Sequence, residues 1–540
     1  MSPHGGRLAV DVLGSHGVDT IFTLSGGHLF VLYDGCVQAG LRLVDTRHEQ
    51  SAAFAAEGYA KVTRRAGCAA LTAGPGVTNG VSAMTSMSMN GSPVLVLAGR
   101  APMARWGSGS LQELDHLPIV ESVVKSAATA TDAASIVAEV HAALLAARTP
   151  HRGPTFVDIP LDAFASGDVT IPGAEQAEIS SEEPDPEAIA EVAGLLGAAE
   201  RPVLVAGGDV YWGGAEGALV RLAEAARVPV FVNGMGRGTI PADHDLAFSR
   251  TRGVAFKGAD LVVVAGTPLD FRLAFGKFGD ARVVHLCDSA AGVARHVELA
   301  AAVAGDLALA LSALAESGVP PAARSSHDAW IERLRDQEKV LRDADVDSLG
   351  ADASPIKPTR VYGELRKRLE RDAIVIGDGG DFVSYAGKYV DSYLPGTFLD
   401  PGPYGCLGMG PGYALGAGVA CPDRRIVLLL GDGATGFALG DFDSLVRHGV
   451  NVTAIVGNNG IWGLEKHPMQ QFFGYDVVAD LRPGTRYDKV VEALGGRGEL
   501  VAEPSQIGPA LDRAFETPGV SLVNVLTDPE DAYPRSSNLA

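Results

Sequence analysis

The sequence predicts an α/β protein with three doubly wound parallel-sheet domains, and three observations lead to this fold class. Short apolar runs such as "SPVLVLAG", "ADLVVVAG" and "RIVLLLGDG" alternate with helical patterns along most of the 540 residues, and most of these runs end in glycine. Buried strands that alternate with helices are typical of parallel sheets. Two polar stretches interrupt the alternation, and a chain of this length exceeds what one hydrophobic core supports.

The two polar stretches divide the chain into three expected domains. Residues 166–188 show neither helical nor strand periodicity, and residues 318–357 combine turn-forming ends with one charged helix. We therefore expect a first domain at 1–165, a middle domain at 190–315 and a last domain at 355–540.

The composition argues against several classes of protein. The net charge of −21 makes non-specific binding to nucleic acid or to an anionic membrane unfavourable. The five cysteines are scattered and form no CxxC pair, as is typical of a reduced cytoplasmic protein. No apolar run reaches the length of a membrane span, and the first residues lack the apolar core of a signal peptide. We expect a cytoplasmic protein whose anionic ligands are held by local features.

One βαβ unit near the C-terminal end carries the most informative motifs. The strand "RIVLLL" leads into Gly431, Asp432 and Gly433, and the next strand, "NVTAIVG", leads into Asn459. Parallel strands of one βαβ unit end at the same edge of a sheet, where α/β folds bind ligands. A carboxylate and an amide oxygen suit Mg²⁺, and glycines let a diphosphate approach the backbone. Either motif alone is an ordinary turn, but their spacing predicts a Mg²⁺–diphosphate site.

These motifs resemble those of the thiamine-diphosphate enzymes. GDG followed by NN is similar to the family's diphosphate motif, and "TRHEQSAAFAAEGYAKVT", "LTAGPGVTNG" and "GCLGMGPGYALGA" resemble segments of the acetolactate synthase group. The resemblance covers nearly the whole chain. It implies a pyrimidine-binding first domain, a nucleotide-binding-like middle domain and a diphosphate-binding last domain. It also implies thiamine diphosphate and Mg²⁺ as cofactors, and a homodimer or homotetramer with active sites shared between chains.

The same resemblance implies the residues that hold the cofactor. Asp432 and Asn459 would bind Mg²⁺ through their side chains, and Ile461 through its carbonyl. Gly405 would offer a carbonyl to the cofactor's amino group, and Leu407 would be the apolar wedge that bends the cofactor. The other expected cofactor-binding residues are Gly26, Gly27, Gly431, Gly433 and Ala434.

Four side chains are expected to carry the chemistry. Glu49 matches the family's activating glutamate, and its position between an apolar strand and a small-residue helix should remove it from water, which favours sharing a proton with the cofactor. His28 and Gln112 would face the reacting carbon. Glu465 lies just beyond the diphosphate motif, on a helical segment that Pro468 should break, where it would exchange a proton with a substrate hydroxyl.

The substrate end of the site favours a 2-hydroxyacyl-CoA lyase. Leu161 stands where acetolactate synthases usually carry a lysine, and "GIWGLEKHPMQQFF" lacks their Gln-Trp pair. "LSGGH", "SLQELDH" and "GTPLDFRLAFG" resemble the lyases instead. We expect cleavage of a 2-hydroxyacyl-CoA to formyl-CoA and an aldehyde or ketone. An acetolactate synthase that condenses two 2-keto acids is the alternative, and a flavin oxidoreductase of the pyruvate-oxidase type also stays open.

Two further regions carry expectations about the substrate and a second cofactor. Arg535 and Asn538, in the tail "AYPRSSNLA", resemble a C-terminal segment that closes over an acyl-CoA. Arg272 matches a position that meets the flavin in acetolactate synthases, and we also count it among the candidate contacts of the CoA tail. Relatives bind FAD, ADP or nothing in the middle domain, and the sequence leaves these alternatives open.

Overall fold

The computed structural model describes residues 4–166, 179 and 181–534 and contains three sheets whose paired strands are all parallel. This confirms the predicted α/β fold class. Where each domain begins and ends stays a prediction. Among the helices of the described residues, none has the length and apolar character needed to cross a membrane.

The first sheet has six strands in the order β2-β1-β3-β4-β6-β5. Its strands are β1 (Thr20–Thr23), β2 (Arg42–Asp45), β3 (Gly67–Leu71), β4 (Val94–Arg100), β5 (Ser126–Thr129) and β6 (Thr155–Pro160). Its helices are α1 (Gly5–Ser15), α2 (Phe30–Ala39), α3 (Glu49–Thr63), α4 (Pro75–Asn90), α5 (Leu117–Val120), α6 (Ala133–Arg148) and α7 (Leu161–Ala165). The central strands β3 and β4 are buried along their whole length, as expected for strands covered on both faces.

The middle sheet has five strands in the order β11-β10-β9-β7-β8. Its strands are β7 (Pro202–Ala206), β8 (Val230–Val232), β9 (Leu261–Ala265), β10 (Arg282–Cys287) and β11 (Ala301–Ala304). Its helices are α8 (Pro186–Ala198), α9 (Gly208–Trp212), α10 (Glu216–Ala226), α11 (Arg252–Gly258) and α12 (Leu307–Ser317).

The second polar stretch is mostly helical. It contains α13 (Pro321–Ala344) and α14 (Val346–Leu349). Trp330, Ile331 and Leu334 of α13 are buried in the core of the middle domain. The stretch that we expected to be a linker with one helix is therefore a packed element, because α13 presents an apolar stripe along one face.

The last sheet has six strands in the order β13-β12-β14-β15-β17-β16. Its strands are β12 (Ile374–Asp378), β13 (Phe398–Leu399), β14 (Ile426–Gly431), β15 (Val452–Asn458), β16 (Arg497–Val501) and β17 (Val520–Leu526). Its helices are α15 (Pro358–Leu365), α16 (Gly380–Ser384), α17 (Ala386–Tyr389), α18 (Gly410–Ala420), α19 (Asp432–Ala438), α20 (Phe442–Arg447), α21 (Gly463–Phe473), α22 (Tyr487–Ala493) and α23 (Pro504–Glu516).

Helices α3 and α18 join the first domain to the last through glycines. A Cβ on Gly416 would collide with the Ala55 carbonyl oxygen and stand 2.7 Å from the Tyr59 nitrogen. A Cβ on Gly58 would stand 2.7 Å from the Tyr413 Cα. Because these glycines have no side chains, the backbones of α3 and α18 approach closely, and this contact fixes how the two domains pack.

We predict that Gly416→Ala lowers stability by about 1–3 kcal/mol, because the new methyl group must push apart two packed backbones. The measurement is the midpoint of thermal unfolding. Gly194→Ala is the control, since Gly194 is exposed in α8 and its Cβ would meet nothing within 4 Å. That control should hold or raise the midpoint. Equal midpoints in the wild type and Gly416→Ala would contradict the close packing.

Candidate functional site

The carboxyl edge of the last sheet brings the two predicted motifs together. Strands β14 and β15 pair in parallel, with Gly431 opposite Gly457. Asp432 follows the end of β14, and Asn459 follows the end of β15. The two strands end within one residue of each other, so the residues at their tips share one edge, as the spacing predicted.

Asp432 is held in place by two backbone amides. It is 3% exposed, and its carboxylate accepts hydrogen bonds from the Gly460 N–H at 2.7 Å and from the Gly433 N–H at 3.0 Å. Burial raises the pKa of Asp432 to about 6. Each carboxylate oxygen retains acceptor capacity for a cation.

A cavity of about 500 Å³ opens at this edge. Ten of the residues predicted from the sequence line it. They are Arg272, Gly405, Leu407, Gly431, Asp432, Gly433, Ala434, Asn459, Ile461 and Glu465. The cavity also contains residues that the sequence did not single out, among them Arg237, Phe271, Asp381 and Trp462.

The segment that carries Gly405 and Leu407 is anchored by a buried aspartate. Asp378, at the end of β12, accepts hydrogen bonds from the Gly408 N–H at 3.0 Å and the Gly410 N–H at 2.7 Å. Burial raises the pKa of Asp378 to about 7. A Cβ on Gly379 would collide with the Leu407 side chain. Leu407 is thus wedged against the loop that follows β12.

Glu465 lies on a longer helix than the sequence suggested. Helix α21 runs from Gly463 to Phe473 and continues through Pro468, so the predicted break at that proline is wrong. Pro468 is the central residue of this helix, so the helix continues without the hydrogen bond that the missing N–H would have donated. Glu465 is exposed in the first turn and lines the cavity.

The remaining predicted side chains form a second cluster, in the first domain. Glu49 begins α3 and is 9% exposed, and its carboxylate accepts a hydrogen bond from the Asn79 side chain at 3.0 Å. A Cβ on Gly76 would stand 3.7 Å from the Glu49 Oε1 atom and 2.7 Å from Thr72. A Cβ on Gly26 would collide with the same threonine. The loops after β1 and β3 therefore meet beside the Glu49 carboxylate.

His28 and Gln112 belong to this second cluster. Gly27 and His28 begin a short 3-10 turn after β1, and His28 hydrogen-bonds to the Gln112 side chain. Burial lowers the pKa of His28. A Cβ on Gly74 would stand 3.0 Å from the Gln112 Cβ. His28 and Gln112 are thus neighbours, as expected for two residues that would act on one substrate.

A buried histidine supports this cluster and was missed by sequence reasoning. The His116 Nε2 atom accepts a hydrogen bond from the Gly74 N–H at 3.0 Å. Its Nδ1 atom lies 2.8 Å from an oxygen of Asp158, which also accepts from Arg100 at 2.8 Å. Because Nε2 must accept, Nδ1 carries the proton. The tautomer is fixed, and the loop that holds Gly74 is anchored to β6.

Within one chain the two clusters remain separate. Glu49, His28, Gln112, Gly26 and Gly27 are not among the residues that line the 500 Å³ cavity. The predicted tail contacts Arg535 and Asn538 lie outside the described residues. The chain thus carries two candidate half-sites, one rich in glycines that are expected to bind the cofactor and one carrying the buried glutamate.

The carboxyl edge of the middle sheet carries a cluster of paired charges. Asp209 follows β7 and Asp288 follows β10, and the His151 Nδ1 atom lies 3.5 Å and 3.2 Å from their carboxylates. Arg272, expected to meet a flavin or the CoA tail, is bound at 2.7 Å by Asp270. Arg152 also lies 3.8 Å from the Asp288 carboxylate, so the cations at this edge are already paired with carboxylates.

The donor set at the C-terminal edge suits a magnesium diphosphate. The carboxylate of Asp432, the amide oxygen of Asn459 and the carbonyl of Ile461 are all hard oxygen ligands. A Cβ on Gly433 would collide with the Trp462 ring, so the residue following the aspartate cannot carry a side chain without displacing the cavity wall. The residues present therefore fit the group that the motif implies.

Three protein-family models match successive parts of the chain. The model of the thiamine pyrophosphate enzyme N-terminal TPP binding domain matches residues 3–119. The model of the central domain of these enzymes matches residues 189–314, and the model of their C-terminal TPP binding domain matches residues 378–525.

Several named proteins are similar over nearly the whole chain. Acetolactate synthase large subunit of Mycobacterium tuberculosis is 55% identical over 541 residues, covering 99% of this chain and 98% of that protein. A probable acetolactate synthase of Mycobacterium bovis shows the same identity and coverage. 2-Hydroxyacyl-CoA lyase 2 of Homo sapiens is 32% identical over 549 residues, covering 93% of this chain and 86% of that protein.

We predict that Asp432→Ala weakens Mg²⁺-dependent binding of thiamine diphosphate about 100-fold or more, because it removes the carboxylate expected to hold the ion. Isothermal titration with cofactor and Mg²⁺ measures this affinity. Asp443→Ala is the control, since that carboxylate lies one helix further along and pairs with Arg447 at 2.8 Å. Similar affinities in both variants would exclude Asp432 as a metal ligand.

Proposed function

The chain belongs to the thiamine pyrophosphate enzymes, and from this premise we propose that it joins two 2-keto acids, as an acetolactate synthase does. The observation that carries the proposal is the 55% identity over 99% of the chain to a protein named acetolactate synthase large subunit. This identity favours an acetolactate synthase, which the sequence left open as the alternative, rather than the 2-hydroxyacyl-CoA lyase that the motifs favoured.

The two half-sites supply complementary parts of such an enzyme. Thiamine diphosphate, when bound, supplies the electron sink that carbon–carbon bond chemistry next to a carbonyl requires. Asp432, Asn459 and Ile461 would hold its diphosphate through Mg²⁺. The Gly405 carbonyl would accept a hydrogen bond from the cofactor's amino group. Leu407, which packs against Gly379, would press against the cofactor.

A second copy of the chain would complete the site. Glu49 is buried beside Asn79 rather than in the cavity, yet it must reach the cofactor to exchange a proton with it. We propose a homodimer or homotetramer in which the cavity of one chain faces Glu49, His28 and Gln112 of another. A cytoplasmic location stays a prediction.

We do not propose a flavin or ADP in the middle domain. The cations that could hold a nucleotide diphosphate are already engaged: His151 and Arg152 pair with Asp209 and Asp288, and Arg272 pairs with Asp270. A purified protein without flavin absorbance near 450 nm would agree with this.

A 2-hydroxyacyl-CoA lyase is the second candidate. Glu465 lines the cavity, where its carboxylate would take a proton from a substrate hydroxyl, and Leu161 replaces the lysine expected of a synthase. Relatives named 2-hydroxyacyl-CoA lyase 2 share 32% identity, which is lower than the identity to the synthases.

We predict that Glu49→Gln lowers turnover by about 10²- to 10⁴-fold, because the amide cannot exchange a proton with the cofactor. Cofactor affinity should change little, since Glu49 does not line the diphosphate cavity. Steady-state kinetics and cofactor titration measure the two quantities. The control is Glu121→Gln, an exposed glutamate of the same domain, which should keep full activity. Near-normal rates in Glu49→Gln would remove its proposed role.

We predict that the purified protein with thiamine diphosphate and Mg²⁺ forms acetolactate from pyruvate faster than it cleaves a 2-hydroxyacyl-CoA. Colorimetric detection of acetolactate and chromatography of formyl-CoA compare the two reactions. Glu465→Gln should leave acetolactate formation within a few-fold of the wild type, because the proposed proton transfer belongs to the lyase reaction. If the wild type cleaves only the acyl-CoA, and Glu465→Gln loses that activity, the second candidate is established instead.

A further inference from the structure

Gln112 has a backbone conformation that is unfavourable for a residue with a side chain. Its φ is +58°, in the left-handed region that residues other than glycine rarely adopt. Strain of this kind persists only where the surrounding structure opposes its release, and it is concentrated at binding and catalytic sites. Gln112 is one of the side chains expected to carry the chemistry, so the contacts that hold its conformation bear on the reaction.

Gly74 is the residue against which Gln112 packs. A Cβ on Gly74 would stand 3.0 Å from both the Gln112 Cβ and the Gln112 carbonyl oxygen. Gly74 itself has a φ of +61°, a conformation that favours glycine. The close contact therefore requires both a missing side chain and this backbone conformation at Gly74. If Gly74 moves, Gln112 loses the surface that supports its own strained conformation.

His116 holds the backbone of Gly74 in place. The Gly74 N–H donates to the His116 Nε2 atom at 3.0 Å, and the histidine is fully buried. A buried N–H that loses its acceptor is costly, so this bond ties Gly74 to the imidazole. His116 also lies just before α5, four residues after Gln112. The loop that carries Gln112 therefore ends on the residue that holds Gly74.

Asp158 and Arg100 orient the imidazole of His116. The His116 Nδ1 atom lies 2.8 Å from the Asp158 Oδ2 atom, and Arg100 donates to the same oxygen at 2.8 Å. Asp158 is fully buried and Arg100 nearly so, and the Trp106 ring covers the guanidinium at 4.1 Å. Because Arg100 supplies the positive charge that the buried carboxylate requires, a neutral imidazole keeps its Nε2 lone pair for Gly74.

We propose that His116 is a positioning residue for the condensation: its hydrogen bond to Gly74 keeps the Gln112 side chain against the carbonyl of the 2-keto acid. This rests on the proposed function. The Gln112 amide N–H would stabilise the negative charge that develops on the carbonyl oxygen as the carbon–carbon bond forms. Such a contact depends on distance, and a displacement of about 1 Å can slow a reaction about 100-fold. His116 thus affects the rate without touching the substrate.

Two substitutions separate the two hydrogen bonds of His116. His116→Asn retains an N–H near the position of Nδ1 and loses the acceptor for Gly74. His116→Gln places an amide oxygen near the position of Nε2 and loses the donor to Asp158. His116→Asn should lower kcat and kcat/KM for acetolactate formation together, by about 10- to 100-fold. His116→Gln should recover most of this loss, and the affinity for thiamine diphosphate with Mg²⁺ should be unchanged in both variants.

A second measurement does not depend on turnover. Hydrogen exchange of the peptide that contains the Gly74 amide should be faster in His116→Asn, because that N–H has lost its acceptor, and should stay slow in His116→Gln.

The matched control is His327→Asn. His327 is also fully buried, with Nδ1 2.7 Å from the Ala226 carbonyl oxygen and Nε2 3.0 Å from the Ala199 carbonyl oxygen, but it lies on α13. This substitution also removes a buried hydrogen bond, so it should lower the midpoint of thermal unfolding. It should leave the turnover of the folded enzyme and the exchange at Gly74 unchanged.

Three results would overturn the assignment while the condensation stands. The first is wild-type turnover in His116→Asn, and the second is an equal loss of turnover in both His116 variants. The third is a slow His116→Asn enzyme whose Gly74 amide exchanges as slowly as in the wild type, since the rate would then fall while the proposed bond is not needed. A wild type that forms no acetolactate from pyruvate would instead overturn the proposed function on which the assignment rests.

Discussion

The whole site depends on two neighbouring parallel strands that end within one residue of each other at the same edge of the sheet. Register pairs Gly431 of β14 with Gly457 of β15, so the residues that follow them emerge at one edge. A slip of one residue would turn every side chain of one strand to the opposite face. Both strands are buried along their whole length, and the close packing of their side chains against the helices on each face opposes such a slip. The apolar core therefore fixes the spacing of the oxygen donors.

A second constraint is the close approach of α3 and α18. Gly58 and Gly416 let two backbones meet where side chains would separate them. The Lys61 ammonium, buried in the same contact, donates to the Tyr413 hydroxyl at 2.8 Å and pairs with Glu57 at 3.2 Å. Burying an ion pair is costly unless its partners are well placed. The contact is therefore specific, and it holds the first domain in an orientation that leaves Glu49 out of the chain's own cavity.

The sequence predicted the fold class and the meeting of the motif residues at one sheet edge, because both follow local rules. Glycine after an apolar strand indicates a parallel-sheet edge, and ten motif residues met in one cavity. Arg237, His116 and Asp378 escaped prediction because each acts through a partner far away in the chain. His116, for example, is recognisable only beside Gly74 and Asp158. The substrate class was harder to predict from the sequence. A departure from the synthase motifs, such as Leu161, concerns one side chain, whereas similarity over the whole chain reflects all side chains together.

The strong negative charge of the chain explains why its cations must be placed individually. With −21 overall, long-range attraction cannot draw an anionic substrate to the cavity. Groups in the cavity wall must therefore attract the substrate at short range. The cavity has two kinds of such groups: oxygen donors suited to a metal ion, and the cationic side chain of Arg237. Arg272 cannot serve in the same way while Asp270 holds it.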